Sequence, residues 1–504
     1  MAFEENKFYV AKRCELDKSN FNVECNISLG QEVNKILTVS LEKCIQNIET
    51  LNGSLNYSGV IDAKIVFLTN DNQINTVCST CPFSSKFEND EIMNGSNAVI
   101  HLKIIDYSIE NVNLDNIRLS VLIEQSGMVF CSKEVKTIRT DDEFTCCKED
   151  EISIIKYIGS TSENFEVESE INVREKIKKI LLTESKALIK NIESNENFVT
   201  VSGDIVSRIL YIDENDKFES GYINDSFKQE IELNGVNSES LIEGDIFVKY
   251  DSIFTEIKED EKGSIILIKN PLMINIRAFQ EEKISVISDL YSVKNDIQVT
   301  TESFCMSKVC ESEFFEEKIE GSLILDEEKP RVDKILFTGG NSVTITNQYL
   351  KDNEVYIEGI AKTTVVYLND ENSSFYSAQI DVPFEISDKT KFEGDGVLFV
   401  DALVCDVDVS VKKGRELFYD SKIKACINYC SDKCCAIISD AVNGENYEEK
   451  DYAMEVIFAG EGDTLWDIAK KNKVKEEQVL QQNPDITFPL SQDSSLILFY
   501  QKLN

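Results

Sequence analysis

Histidine is almost missing from this chain: His101 stands alone among 504 residues. Any Ser-His-Asp or Cys-His arrangement would have to run through His101, which sits in the strand-like run "NAVIHLKIIDY" with no nucleophile motif nearby. Neither the G-x-S-x-G elbow nor a Walker-type phosphate loop occurs. Carboxylate pairs are too frequent in so acidic a chain to indicate general acid–base work. The sequence therefore reads as a non-enzyme with no cofactor. Proline is scarce, six in all, which argues against long disordered linkers. No run of 18 apolar residues exists to span a bilayer as a helix. The opening "MAFEENKFYVAKRCELDK" has neither the charged nor the apolar region of a secretory signal, so the expected location is cytoplasmic. Basic residues are also short, 52 against 91 acidic, for a net charge of −39. Such a surface repels nucleic-acid phosphates and anionic headgroups. The acidity serves either solubility or attraction to a basic protein surface.

Cysteine, by contrast, is plentiful at 15. Without a secretory signal, reduced thiols are the expectation. "CSTC" (Cys78, Cys81) has ligand or redox spacing, "CINYCSDKCC" (Cys426, Cys430, Cys434, Cys435) forms a second cluster, and Cys146 with Cys147 a third. A structural zinc site needs four thiolates or imidazoles in paired spacing. Cys78 and Cys81 have no second such pair, so structural or incidental thiols are expected and no bound metal. A metal site and later oxidative cross-linking are the remaining alternatives.

Length alone suggests three or four domains, and a long repeat supports this. "YSGVIDAKIVFLTND" (57–71), "VSGDIVSRILYIDEN" (201–215) and "IEGIAKTTVVYLNDE" (357–371) each carry glycine at the third place: Gly59, Gly203 and Gly359. An apolar block follows, Ile65–Leu68, Ile209–Ile212 and Val365–Leu368, with Phe67, Tyr211 or Tyr367 as its third member. Upstream, K-I-L closes each of "FNVECNISLGQEVNKIL" (21–37), "FEVESEINVREKIKKIL" (165–181) and the looser 315–336. Its isoleucine (Ile36, Ile180, Ile335) lies 23, 23 and 24 residues before the glycine. Glycines 144 and 156 residues apart mark tandem globular domains, not a solenoid.

The repeat is mostly strand in pattern. Its apolar block fits a strand covered on both faces, and "NIRLSVLIEQ" and "VLFVDALVCDVDVSVKK" are β-branched and partly alternating. One helix candidate stands before the glycine strand, best in "INVREKIKKILLTESKALIKNIES", although Gly339 and Gly340 spoil it in the third copy. The recurring glycine reads as a bulge or a sharply twisted strand. The expected fold is mainly β: three tandem β-sandwich or barrel-like domains at 21–147, 164–300 and 312–438, preceded by an N-terminal segment, 1–20. A polar linker at 439–452 leads to a small βααβ unit at 453–504.

That last unit holds Trp466, the single tryptophan. Thr464 is placed to cap a first helix, with Asp467 in the reciprocal position. Pro484 after Asn483 stops a second helix. Leu465, Ile468 and Ala469 form the inward stripe, and Trp466 falls about 100° off it beside Lys470 and near Lys473. Trp466 is therefore either an interface anchor or the cover of its own small core. Candidate partner-binding residues are Trp466, Lys470, Lys473 and Asp463, with Gln481 and Gln482 on the second helix as the alternative face.

The segment resembles the LysM domain family through G-D-T-L-W-x-I-A (Gly462, Asp463, Thr464, Leu465, Trp466, Ile468, Ala469) and the later N-P (Asn483, Pro484). The late glycine usual to the family is replaced in "LSQDSSL", and its terminal I-P by "LFY". The family commonly binds N-acetylglucosamine polymers such as peptidoglycan. The three upstream copies resemble the SPOCS domain of endospore-forming bacteria, through K-I-L, the glycine strand and the apolar-aromatic block. Three such domains before a LysM domain is an arrangement of clostridial spore-coat morphogenetic proteins. That resemblance implies a mother-cell scaffold at the forespore surface. Its LysM domain would bind the coat basement-layer ATPase, SpoIVA, and other coat proteins would join through the SPOCS domains. The alternative it leaves is a binder of peptidoglycan or spore cortex.

Overall fold

A computed structural model describes residues 3–260, 263–308, 311–369, 374–392, 396–448 and 454–499. The chain is mainly β, in several separate sheets that pair into sandwiches, with two short helices near its C-terminus. The first repeat contains β1 (Glu4–Ser28), β2 (Val33–Leu51), β3 (Ser54–Thr69), β4 (Ile74–Glu88), β5 (Asn97–Asn111) and β6 (Asn116–Arg139). The second contains β7 (Thr145–Val173), β8 (Ile177–Asn195), β9 (Phe198–Asp213), β10 (Phe218–Glu232), β11 (Leu241–Val248), β12 (Phe254–Asp260) and β13 (Gly263–Ser292). The third contains β14 (Asn295–Ser307), β15 (Glu311–Ile324), β16 (Val332–Lys351), β17 (Glu354–Asn369), β18 (Phe375–Lys389), β19 (Gly396–Lys412) and β20 (Glu416–Asn446). The C-terminal unit is β21 (Met454–Ala459), α1 (Leu465–Asn472), α2 (Glu476–Gln482) and β22 (Ser494–Phe499).

In each repeat the glycine strand is the centre of a three-stranded antiparallel sheet: β2-β3-β4, β8-β9-β10 and β16-β17-β18. The glycine has the same surroundings three times. Gly59, Gly203 and Gly359 pair with Phe83, Phe227 and Phe384 on one side. On the other side they face a bulge beginning at Ile45, Ile189 and Ile345. A Cβ on Gly203 would lie 2.2 Å from the Leu188 carbonyl oxygen and 2.6 Å from the Phe227 ring. At Gly59 the distances are 2.2 Å to the Cys44 oxygen and 2.7 Å to Phe83. The recurring glycine is thus structural: backbone and ring fill the space that a side chain would need.

K-I-L sits at another bulge. The ladder skips one residue after Ile36, Ile180 and Ile335, and the residue left over is Leu37, Leu181 or Leu336. These leucines collect in one core with Val66, Leu68, Leu182, Leu210, Phe337 and Val366, drawn from all three repeats. The apolar block is accordingly buried on both faces. Ile65 and Phe67, Ile209 and Tyr211, and Val365 and Tyr367 point into the sandwich of their own repeat. Val66, Leu210 and Val366 point into the shared core.

Each repeat closes with a second sheet built on a long strand pair: β1 with β6, β7 with β13, and β14 and β15 with β20. The ends of these pairs extend beyond the sandwiches and pack together through Phe8, Val135, Ile154, Val286, Phe304 and Ile437. Buried ion pairs also cross between repeats, Arg13 with Glu243 at 2.8 Å and Lys424 with Asp204.

Several expectations are corrected here. The helix candidate 171–194 is strand apart from a short turn at 174–176, covering the end of β7 and nearly all of β8, because most of its residues find a ladder partner in β13 or β9. The N-terminal segment 1–20 is not separate from residue 4 onward, since it is the first half of β1. Residues 148–163, left between domains, belong to β7. Of the linker 439–452, residues 439–446 are the end of β20 paired with β14, and 449–452 lie outside the described residues. Polar composition suggested a loop, but a strand with one solvated face is equally polar.

The thiols also depart from a uniformly reduced set. Cys25 is bonded to Cys81 and Cys305 to Cys434, while Cys78, Cys146, Cys147, Cys426 and Cys435 are free. Three residues along a strand reverse the side chain, so Cys78 is exposed while Cys81 is buried with Cys25. The cysteines of "CINYCSDKCC" lie along β20, where four residues span roughly 13 Å, too far for Cys426 and Cys430 to be two ligands of one ion. No cluster of three or more metal-ligating side chains occurs among the described residues.

Gly203→Ala tests the repeat geometry. Forcing a methyl between the Leu188 carbonyl and the Phe227 ring should cost about 1–3 kcal/mol, read as a lower urea midpoint. An unchanged midpoint would mean that the bulge does not close on Gly203.

Candidate functional site

The C-terminal unit is short enough that side-chain hydrogen bonds do much of the work of a core. Thr464 caps α1: its Oγ1 accepts from the Asp467 N–H at 3.1 Å, and the Asp467 carboxylate accepts from the Thr464 N–H at 3.3 Å. Lys473 ends α1 in the left-handed region at φ 59°. The Asn483 amide joins α2 to β22, donating to the carbonyls of Val479 (3.0 Å) and Ile497 (2.9 Å) and accepting from the Ile497 N–H (2.8 Å). The N of the N-P pair therefore holds a helix to a strand, beyond stopping the helix.

The predicted partner-binding residues fall into three groups. Trp466, Lys470 and Lys473 are engaged by the chain's own body. The indole Nε1 donates to Asp289 Oδ2 at 2.8 Å, and Lys470 Nζ donates to Asp289 Oδ1 at 2.5 Å. The Tyr291 ring meets the indole edge to face at 5.0 Å, and its hydroxyl donates to the Val474 carbonyl at 2.8 Å. Lys473 lies over the Tyr447 ring at 3.2 Å. Asp463 and Gln482 instead build the unit itself. Asp463 accepts from the Gly460 N–H at 2.9 Å, and Gln482 Oε1 accepts from the Phe499 N–H at 2.8 Å. Gln481 is exposed on α2.

The inward stripe also shifts. Ile468 and Ala469 are buried as expected, but Leu465 is only half-buried while Trp466 is buried. The reason is that α1 packs against two surfaces. One face fills the core with Val479, Leu490, Leu496 and Leu498, and its flank is covered by Tyr291, Val293 and Cys146. Asp289 and Tyr291 lie 177 and 175 residues before Trp466, and nothing local in "SDLYSVK" announces them.

Burial raises the Asp289 carboxyl, but its hydrogen bonds to Lys470 and Trp466 outweigh this and hold it below the usual carboxylate range. Burial, then the neighbouring Cys146 thiol, pushes the Tyr291 hydroxyl well up, so it stays a donor.

A second concavity lies among the three repeats, with a volume of about 1380 Å³. It contains His101, whose ring stacks on Phe399 at 5.1 Å. Asp401 opens to this cavity deep in the molecule, and burial raises its carboxyl pKa. Burial also pushes the Cys426 thiol up to about 12, leaving it a poor nucleophile.

Because Trp466 is the sole tryptophan, its emission reports the docked state. Asp289→Ala should red-shift that emission and increase quenching by iodide. A depressed carboxyl contributes docking stability that is complete above its undocked value and lost as pH falls through its docked value. The wild-type emission should therefore hold at neutral pH and shift below about pH 4, a step that Asp289→Asn should lack. Unaltered emission in Asp289→Ala would mean the indole is covered from within its own unit.

The LysM domain family matches residues 460–490. No curated protein and no solved structure matches the chain. The unit that carries Trp466, Asp463 and Asn483 is a LysM domain.

Proposed function

We propose that this chain is a non-catalytic assembly scaffold of the spore coat, acting in the mother-cell cytoplasm at the forespore surface. Its LysM domain docks the coat basement-layer ATPase, SpoIVA, and its three repeats, read as SPOCS domains, recruit or link further coat proteins. The order of domains resembles that of the clostridial morphogenetic protein SipL. The observation that carries the reading is the LysM domain at residues 460–490 beside three copies of one β framework. Duplicated sandwiches sharing a core offer rigid, spaced surfaces. Among the described residues no helix is long and apolar enough to cross a membrane. The raised thiol of Cys426, half-buried at the cavity wall, supports a structural rather than a nucleophilic role.

A second reading is favoured by the LysM match itself, because such domains commonly bind N-acetylglucosamine polymers. Against a sugar ligand, Trp466 is committed to Asp289 and Tyr291 and is not displayed for stacking on a ring.

A pull-down with the full chain decides between the two. Immobilised chain should capture the basement ATPase and leave peptidoglycan in solution, and a chain lacking residues 454–499 should lose the ATPase. Retention on peptidoglycan with no capture of the ATPase would establish the glycan reading instead.

A further inference from the structure

The LysM domain has a two-stranded sheet, β21 with β22, and its two outer edges are treated differently. Along β22 the outer edge is closed by side-chain amides from α2 and from Asn483, the residue that caps its C-terminus. Asn483 bonds both the N–H and the carbonyl of Ile497, and Gln482 bonds both the N–H and the carbonyl of Phe499. Gln478 adds a second donor to the Phe499 carbonyl at 2.6 Å. In an antiparallel pair the N–H and carbonyl of one residue point to the same side, alternating along the strand. Ile497 and Phe499 therefore point away from β21, while Leu496 and Leu498 point toward it. The partners of Leu496 and Leu498 are Ile457 and Glu455, so these two make the ladder. The backbone groups of Met454, Val456 and Phe458 are left facing outward.

The same three residues carry the exposed side chains. Met454, Val456 and Phe458 are 53, 50 and 80% exposed, and they lie opposite Phe499, Ile497 and Ser495. Ile497 and Phe499 are 40 and 46% exposed, which continues the apolar face across the sheet. An edge with no backbone partner among the described residues, beside an apolar face, is a template for another strand. Edge strands commonly avoid this with charges, prolines or covering side chains, as the amides do along β22.

We propose that β21 is the docking edge of the LysM domain and that its occupant is an extended segment of a partner protein. That segment adds as a third strand, with apolar residues at alternate positions and basic residues between them. Main-chain hydrogen bonds to Val456 and Phe458 supply affinity, and the row Met454, Val456, Phe458 selects the apolar side chains. The basic residues answer the net charge of −39. A second copy of the chain is a poorer occupant. Five side chains on six-residue strands present far less than the roughly 1,200 Å² of a stable interface, and two equally acidic chains repel. The inference rests on the LysM domain being a protein-docking module. It adds the face and the chemistry of the segment bound.

The test uses the full chain and a fluorescein-labelled nine-residue peptide of alternating valine and lysine, read by anisotropy. Binding is expected, with at least a tenfold loss for Phe458→Asp and for Val456→Pro. The proline removes an outward N–H and leaves the ladder residues Glu455 and Ile457 in place. Emission from Trp466 checks that both variants remain folded. Should Val456→Pro unfold, the wild-type chain with the peptide N-methylated at every residue replaces it, and tenfold weaker binding is again expected. No binding of the valine–lysine peptide overturns the proposal. So does equal binding of the methylated peptide, equal binding of a glycine–lysine peptide of the same charge, or undiminished binding by Phe458→Asp. A dimer in sedimentation equilibrium that Phe458→Asp dissociates would overturn it by making a second copy the occupant. Capture of the ATPase by the full chain is indifferent to which face is used, so failure of the peptide experiment is distinguishable from failure of the scaffold reading.

Discussion

A strand that is apolar on both faces has to be covered twice, and in this protein that requirement binds the three repeats together. Within a repeat, the sandwich covers one face of the apolar block, the side of Phe67, Tyr211 and Tyr367. The other face, with Val66, Leu210 and Val366, has no second sheet of its own and is buried only where the repeats meet. The bulge at K-I-L serves this arrangement by turning one leucine per repeat out of the ladder and into the common core. At roughly 25 cal/mol per Å² of apolar surface removed from water, exposing these side chains would be costly enough to make separated repeats unfavourable.

Electrostatics is arranged around the same junctions. A chain with 91 acidic and 52 basic residues has few cations to spare, and some are spent deep between repeats. Arg13 of β1 pairs with Glu243 of β11, beside an ion pair within the second repeat in which Arg277 of β13 lies 2.7 Å from Asp245. Lys424 of β20 pairs with Asp204 of β9, which also accepts from Lys190 at 2.7 Å. Buried pairs of this kind contribute little net stability against an apolar replacement, but losing one partner strands a charge. A packing of the three similar domains that separated one of these pairs would therefore be penalised.

The LysM domain is attached by a smaller version of the same device. Asp289 accepts from both Trp466 and Lys470, and Tyr291 packs on the indole while bonding the Val474 carbonyl. One flank of α1 is thereby turned inward toward the β framework. The sheet face of β21 and β22 remains outward, so the domain presents a defined side to its surroundings.

Much of this was legible in the residues themselves. The β class, the three copies, the structural glycine, the two-faced apolar strand and the LysM signature all rest on local patterns. Periodicity, turn chemistry and a short motif are set by neighbours a few positions apart. What the sequence could not settle was which partner each pattern would find. The run 171–194 has the charge and spacing of a helix, yet ladder bonds to β13 and β9 made it strand. The polar stretch 439–446 resembles a linker, yet it pairs with β14. Trp466 sits off the inward stripe by helical geometry, and only Asp289 and Tyr291, more than 170 residues earlier in the chain, decide that it is buried. Contacts at that separation leave no trace in the spacing of either segment, because burial is a property of two surfaces and a sequence displays one of them at a time.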